Sequence, residues 1–330
     1  MSEAWQGRRV VVTGGLGFIG SNLVLRLAGE GAEATVIDLP DPECAGDFRH
    51  LGPVADRVTV IRADLSLPGD WRRAIENAEV VFHLAGQVSH SASMSDPVAD
   101  LRHNCGSLLQ VLEAARAART SPRLVFASTR QVYGRAIALP VRESHPLRPP
   151  DVNGVHNVAG EEYLRLYREV HGLQSTTIRL ANTYGPRMDL RHAGRGVLNV
   201  FLARALLGQP ITIFGDGSQK RDINHVDDVV EALLLAARVN QAGPFHLGSP
   251  VPATLSDFLQ ALQTRLPVEV SHQPFPPELE AIDIGDSHCD IAAFQAATGW
   301  SPATPLDEGL ARTIKWFLSN PHALPRAATR

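Results

Sequence analysis

The residues best placed to do chemistry form a glycine-rich turn that follows an apolar run near the start of the chain. Gly14, Gly17 and Gly20 come directly after Val10 to Thr13, where a first strand should pass into a first helix. Gly14 permits a tight turn, Gly17 lets the backbone approach a pyrophosphate, and Gly20 lets the helix pack closely on the sheet. Free N–H groups and the helix dipole then favour a phosphate here. The predicted contacts are Gly14, Gly17, Phe18, Ile19 and Gly20.

A carboxylate closes the next apolar run, where Asp38 follows Ala34 to Ile37. In that place a carboxylate accepts hydrogen bonds from ribose hydroxyls and repels a 2′-phosphate, so the pattern predicts NAD rather than NADP. Further cofactor contacts are expected where later strands end, because ligands of parallel sheets bind at the carboxyl ends of the strands. These residues are Asp64, Leu65, Leu84, Ala85 and Gly86.

The elements that must position these residues alternate between short apolar runs and amphipathic stretches, which is typical of βαβ units. The runs are short and apolar enough for a parallel sheet covered on both faces. They are Val10 to Thr13, Ala34 to Ile37, Val58 to Ile61, Val80 to Leu84, Leu124 to Ser128 and Ser175 to Leu180. The longest helices are predicted over about 97–118 and 152–170. The buried stripe of the first is predicted to hold Leu101, Leu108, Leu109, Val111 and Leu112.

We therefore predict an α/β fold with a Rossmann-type, doubly wound parallel sheet and a smaller α/β substrate-binding lobe. The cofactor domain is assigned to 1–180, with 221–247 returning to it. The lobe is assigned to 181–220 and 248–330, because proline and glycine break this half of the chain into short elements.

Composition limits the partners of the chain. A net charge of -4 over 330 residues, with 20% charged residues, gives no basic excess to hold a nucleic acid. No apolar run approaches the ~20 residues that span a bilayer, and the amino terminus lacks the apolar core of a signal peptide. We therefore expect a cytoplasmic location and no membrane partner. The three cysteines are scattered without a C-x-x-C spacing, so no metal site is predicted.

Several later blocks resemble the extended short-chain dehydrogenase/reductases, the NAD-dependent epimerase/dehydratase group that acts on nucleotide sugars. The resemblance rests on the glycine turn and on blocks that include 128–134, 179–187 and 221–228. It implies a nucleotide-diphosphate sugar between the lobes, with Asn182 and Arg221 near its diphosphate. It also implies that Thr129 lies near the hydroxyl that is oxidised. A homodimer formed through the two long helices is a further implication.

The residue pair that moves the proton in that family is replaced here. Family members use a tyrosine four residues before a lysine, whereas Asn153 and Asn157 stand at the matching positions and no Y-x-x-x-K occurs in the chain. An amide has no protonation equilibrium near neutrality, so we expect Asn153 to orient a hydroxyl without serving as its base, and both Asn153 and Asn157 are candidates to bind the substrate or the ribose. His156 is the candidate replacement base, with His90 and His145 as other candidates.

Further departures from the family narrow the chemistry. Arg130 and Gln131 stand where sugar 4,6-dehydratases carry the Asp-Glu pair that eliminates water, which disfavours a dehydratase. Asp283 stands where the family often has an arginine, so another cation must meet the diphosphate there. The candidates are Arg187, Arg191 and Arg195. The residues predicted to bind the substrate are Asn182, Arg187, Arg221 and His90.

The leading hypothesis is an enzyme that epimerises a nucleotide-diphosphate sugar through a transient keto intermediate. Thr129 and Asn153 would position the hydroxyl, and a histidine or a bound water, in place of tyrosine and lysine, would carry the proton. A nucleotide-sugar oxidoreductase or decarboxylase is the alternative enzyme. A protein that binds NAD or a nucleotide sugar without catalysis is the alternative from another class, because a fold alone does not confer function.

Overall fold

The computed structural model describes residues 4–39, 46–191, 196–280 and 283–325. The strands are β1 Arg9–Thr13, β2 Glu33–Asp38, β3 Thr59–Arg62, β4 Val80–His83, β5 Arg123–Thr129, β6 Ser175–Leu180, β7 Asn182–Tyr184, β8 Ile211–Phe214, β9 Lys220–Arg221, β10 Ile223–His225, β11 Phe245–His246, β12 Ala253–Thr254 and β13 Val270–Gln273. The helices are α1 Phe18–Gly29, α2 Arg72–Asn77, α3 His90–Ser95, α4 Pro97–Leu101, α5 Ser107–Ala117, α6 Val152–His171, α7 Val197–Leu206, α8 Val226–Ala236, α9 Leu255–Gln263, α10 Pro277–Glu280, α11 Ala292–Thr298 and α12 Leu306–Ser319.

The main sheet has seven strands in the order β11-β6-β5-β4-β1-β2-β3, and every pair in it is parallel. Helices α1 and α8 pack on one face, while α2, α5 and α6 pack on the other. The six predicted strands are confirmed as β1 to β6, each within one residue at its ends. The prediction of a Rossmann-type α/β fold is therefore confirmed.

The second half of the chain divides between this sheet and a smaller lobe. Three two-stranded sheets, β7 with β10, β8 with β13 and β9 with β12, lie outside the main sheet. The lobe has a core of its own, centred on Phe201, Phe258 and Phe317. Strand β11 joins the main sheet beside β6, and Phe294 and Trp300, from the range assigned to the lobe, pack in the core of the main sheet. None of the helices in the described ranges combines the length and the hydrophobicity needed to cross a bilayer.

The helix predicted over 97–118 is interrupted by one turn of π-helix at Arg102–Gly106, between α4 and α5. A π-turn adds a residue to the helical repeat and so changes which residues before it face the core. Counting back from Leu108 at the ordinary repeat predicts that Leu101 is buried, but Leu101 is 48% exposed. Asp100 takes the buried position instead and is 1% exposed. The prediction for Leu101 was therefore wrong.

A buried ion pair attaches α6 to the main sheet. Arg179 of β6 donates from Nε to Oε1 of Glu161 on α6 at 2.9 Å, and both side chains are almost inaccessible to solvent. Ser128 of β5 donates to the same carboxylate at 2.6 Å, and Arg179 also donates to the hydroxyl of Tyr133. Since Gly160 has room for no large side chain beside the Phe126 ring, α6 lies close on the sheet.

His83 at the end of β4 is buried beside β1. The Thr13 hydroxyl accepts from the amides of Leu84 and Ala85, so its own proton is donated to His83 Nδ1 at 2.9 Å. Burial lowers the pKa of His83 to about 4, and the native ring is therefore neutral near pH 7.

We expect acid to destabilise the fold through His83. An unfolded histidine titrates near 6.5 and the buried one at about 4, so between these values the unfolded chain binds a proton that the native chain does not. Stability therefore rises with pH across this window, and lowering the pH from 7 to 4 removes about 3 kcal/mol through this group. Urea unfolding at several pH values should show a shallower acid slope for His83→Asn, whose amide oxygen can still accept from Thr13.

The exposed His322 provides the matched control, because His322→Gln should keep the slope of the unmodified chain. A His83→Asn variant with the same acid slope as the unmodified chain would contradict the assignment.

Candidate functional site

The glycine turn is shaped by close contacts that only glycine permits. Gly14 has a φ of +69°, and a Cβ there would lie 2.8 Å from the backbone nitrogen of Ala85. A Cβ on Gly20 would collide with the carbonyl oxygen of Gly14. Gly17 is the N-cap of α1 and supplies no side-chain cap, so the first-turn amides, which include those of Phe18 and Ile19, lack such a partner. The turn therefore fits a pyrophosphate.

Asp38 stands at the end of β2 next to this turn. Its carboxylate accepts hydrogen bonds from the amides of Leu16 at 2.8 Å and Leu39 at 2.9 Å. Burial raises the pKa of Asp38 despite these donors. A carboxylate oriented at the end of β2 beside the glycine turn suits the predicted contact with a ribose, and that contact remains a prediction.

The segment after β4 joins the glycine turn to the next helix. Ala85 lies against Gly14, and the amides of Leu84 and Ala85 both donate to Thr13 at 3.2 Å. A Cβ on Gly86 would approach the Asn104 side chain to 2.7 Å. The structure thus places the segment that holds the predicted cofactor residues Leu84, Ala85 and Gly86 against the glycine turn.

The other predicted strand-end residues lie after β3. Asp64 accepts hydrogen bonds from the amide and hydroxyl of Ser66, and these lower the pKa of its carboxyl although burial acts in the opposite direction. Leu65 is buried in the core between the sheet and α5. A cofactor contact from either residue remains a prediction.

Asp100 is the centre of a buried polar cluster between α4 and α6. Its Oδ1 accepts from His156 Nδ1 at 2.6 Å and from Asn104 Nδ2 at 2.9 Å, and its Oδ2 lies 3.5 Å from Asn153 Nδ2. Asn153 also donates to the carbonyl of Gln87 at 2.7 Å. We call Asp100, Asn104, Asn153 and His156 the Asp100 cluster.

Three other residues predicted to take part in the chemistry are Asn157, Thr129 and His145, and of these Asn157 contacts the cluster. Asn157 Nδ2 donates to the Asn153 carbonyl at 2.9 Å, one turn along α6. Thr129, at the end of β5, accepts from the Gln131 amide at 3.1 Å and keeps its hydroxyl proton for another partner. His145 is committed to its own loop, since Ile137 donates to its Nε2 and its Nδ1 donates to the Pro146 carbonyl. Both ring nitrogens of His145 are thus engaged within the loop, and a role for it as a base remains a prediction.

His90 and Gln131, both singled out from the sequence, contact Asp151 at the start of α6. Asp151 caps the helix by accepting from Gly154 N at 2.7 Å, and its Oδ2 accepts from Gln131 Nε2 at 3.0 Å. His90 Nδ1 lies 2.9 Å from the same carboxylate oxygen. Since a glutamate in place of Gln131 would meet the Asp151 carboxylate, the acid pair of a 4,6-dehydratase does not suit this site.

Asn182 and Arg221, two of the residues predicted to bind the substrate, are each held by contacts with neighbouring residues. Arg130 Nη2 donates to Asn182 Oδ1 at 2.9 Å. Arg221 donates to the Lys220 and Gly285 carbonyls, and its Nη2 lies 3.4 Å from Asp283. Asp283, which replaces the arginine found in the family, therefore partly neutralises Arg221.

The loop arginines lie elsewhere. Arg187 donates to Asn22 of α1 at 2.9 Å, and its guanidinium carbon is 5.4 Å from the centre of the Trp316 ring, so it joins α1 to α12. Arg191 is exposed beside Asp189. Arg195 lies outside the described residues. A substrate contact from these arginines remains a prediction.

Asp100 is not among the predicted site residues, because an unbroken helical repeat predicts Leu101, and not Asp100, at the buried face. An acid four residues before Asn104, in a helix that also carries Leu108, was the available signal. Within the described ranges, no group of three histidine, cysteine, aspartate or glutamate side chains could hold a metal ion.

Known proteins are similar to this chain over most of its length. The model of the NAD dependent epimerase/dehydratase family matches residues 10–248. UDP-glucose 4-epimerase of Mycolicibacterium smegmatis is 34% identical over 94% of this chain and 98% of its own length. UDP-glucuronic acid decarboxylase 1 of Danio rerio is 31% identical over 94% of this chain and 72% of its own length.

A solved structure of Thermus thermophilus UDP-glucose 4-epimerase in complex with NAD has a TM-score of 0.81. It is 32% identical and covers 94% of this chain and 99% of its own. Because the family model spans more than half of the chain and relatives above 30% identity match nearly all of it, the chain belongs to the NAD dependent epimerase/dehydratase family.

Proposed function

We propose that this chain epimerises a nucleotide-diphosphate sugar by oxidising one sugar hydroxyl to a transient ketone and reducing that ketone from its other face. Bound NAD would accept the hydride in the first step and return it in the second. The similarity to UDP-glucose 4-epimerases supports a nucleotide sugar as the substrate.

The observation that carries the proposal is the position of the short segment 85–87. Ala85 touches Gly14 of the glycine turn, Gly86 lies against Asn104, and the Gln87 carbonyl accepts from Asn153. One stretch of backbone therefore links the predicted cofactor turn to the Asp100 cluster. Oxidation of a hydroxyl needs this proximity, because one group must take the hydride from the carbon while another takes the proton from the oxygen bonded to it.

In this proposal Thr129 and Asn153 position the hydroxyl and His156 carries its proton. The Asp100 carboxylate can only accept, so His156 Nδ1 carries the hydrogen of their 2.6 Å bond. Nε2 is then the basic nitrogen of the ring, and a buried carboxylate steadies the imidazolium that forms when it takes a proton. Asn182 and Arg221 would hold the diphosphate.

A homodimer formed through α4 and α6 is part of the proposal. Val155, Leu166 and Val170 are exposed on α6 at intervals that place them on one side of the helix. Val98 and Leu101 are exposed on α4, which packs against α6. Both helices therefore expose apolar side chains that a second copy of the chain would cover.

We expect Asp38→Ser to change which dinucleotide binds. Removing the carboxylate removes ribose hydrogen bonds and the repulsion of a 2′-phosphate, so the ratio of NAD to NADP affinity should fall by about 10-fold or more. Fluorescence titration with both cofactors measures this ratio. Asp56→Ser, at an exposed site, should leave it unchanged, and an unchanged ratio in Asp38→Ser would remove the assignment.

We expect His156→Ala to lower turnover by about 100-fold or more, since general base catalysis contributes at least that much. Asp100→Asn should lower kcat and alter its pH profile, because Asp100 acts through His156. NMR of UDP-, dTDP-, GDP- and CDP-sugars incubated with the NAD-loaded protein measures conversion.

His171→Ala, at an exposed position of the same helix, is the control and should retain turnover. Full activity in a folded His156→Ala variant would remove His156 as the base. If NAD binds but no sugar on the panel is altered or shifts the melting temperature, the enzyme proposal fails.

We expect the chain to sediment at twice the mass of one copy. The double variant Val155→Glu, Leu166→Glu should sediment as a monomer, because it would bury charges in the proposed interface. Val251→Glu, at an exposed site of the smaller lobe, should stay dimeric. A monomeric unmodified chain at micromolar concentration would exclude this interface.

A further inference from the structure

Arg130 has hydrogen-bonding capacity that its protein neighbours do not use. Its Nη2 donates to Asn182 Oδ1 at 2.9 Å, while its Nη1 is buried and has no hydrogen-bond partner among the described residues. A buried guanidinium nitrogen without an acceptor is unfavourable, because it has lost water and gained no partner. The arrangement suits a site in which a ligand supplies the missing acceptor.

The charges around Arg130 point to an anionic acceptor. Burial and the neighbouring Arg221 lower the pKa of Arg130 to about 10, so the side chain still carries its charge at neutral pH. Asp283 is paired with Arg221. Asp222 accepts hydrogen bonds from Ser249, His288 and Cys289. Asp222 and Asp283 are thus the carboxylates whose charge acts on Arg130, and both are bound to other partners, while Arg130 itself forms no ion pair within the described part of the chain.

The place of Arg130 in the chain indicates which part of a sugar it would meet. Thr129 is predicted to lie beside the hydroxyl that is oxidised, and Arg130 follows it directly at the end of β5. The resemblance implies that 4,6-dehydratases carry the acid of water elimination at this position, so a residue here is expected to lie near C6 of the sugar. Gln131, the next residue, is turned to Asp151 and is not available for this role.

We propose that the sugar of the substrate carries a carboxylate at C6, as in a nucleotide hexuronate, and that Arg130 binds this carboxylate. The planar guanidinium suits a carboxylate, and Nη1 would gain the acceptor that it lacks. Asn182 holds the guanidinium from the other side. The inference rests on the proposed function, because it names the class of sugar that the same site takes.

The diphosphate is the competing anion for Arg130. Asn182 and Arg221 are already assigned to it by resemblance, and Arg221 is buried next to the carbonyls that orient it. If Arg130 served the diphosphate instead, its loss would weaken every ligand that carries a diphosphate to the same degree. This difference allows the two anions to be separated by experiment.

The test measures binding to the NAD-loaded protein by calorimetry. UDP, dTDP, GDP and CDP are compared first, and the nucleotide that binds is then used as the free diphosphate, as its hexose and as the corresponding hexuronate, for example UDP, UDP-glucose and UDP-glucuronic acid. The hexuronate should bind the unmodified chain about 10-fold or more tighter than the hexose.

Arg130→Gln should weaken hexuronate binding by about 10- to 100-fold and change the affinities for the diphosphate and the hexose by less than about 3-fold. Arg130→Lys should lie between, since it keeps the charge and loses the planar fork. Arg142→Gln is the matched control, because Arg142 is exposed and paired with Asp290.

Equal losses for all three ligands in Arg130→Gln would assign Arg130 to the diphosphate and overturn the inference. So would an unmodified chain that binds the hexose as tightly as the hexuronate, and in that case the proposed function would stand. If none of the four nucleotides binds, the proposed function fails together with the inference.

Discussion

The buried ion pair between Glu161 and Arg179 fixes where α6 lies on the main sheet. Removing two charges from water is unfavourable unless each finds several partners, and here Ser128 and Tyr133 add hydrogen bonds to the pair. A slide of α6 by one turn would leave both charges unpaired. The pair therefore specifies the register of α6, and through it the positions of Asn153 and of every other α6 side chain in the site.

Much of the fold could be predicted because its signals are local. The glycine turn and the apolar runs depend on near neighbours in the chain, and both were found where expected. The exchange of Leu101 for Asp100 at the buried face could not be predicted, since a count of helical repeats does not reveal a π-turn at Arg102–Gly106. The Asp100 cluster depends on that one inserted residue.

The residues that depart from the family pattern show a second limit on what the sequence alone can predict. Arg130, Gln131 and Asp283 were recognisable from the sequence as departures from the family, because each stands inside or beside a matched block. Their partners were not recognisable, since Asp283 meets Arg221 and Gln131 meets Asp151 only in the folded chain. Whether a charged side chain is neutralised by the protein or left for a ligand is a property of tertiary contacts.

Helix α1 belongs to both halves of the molecule. The Phe18 side chain packs against the core of the main sheet and against the core of the smaller lobe, and Asn22 donates to the Pro186 carbonyl at 3.0 Å. The lobes therefore cannot separate at this point without moving the glycine turn that precedes α1. Under the proposed function, a motion that pivots about α1 would let sugar nucleotides exchange while the dinucleotide stays in place through successive turnovers.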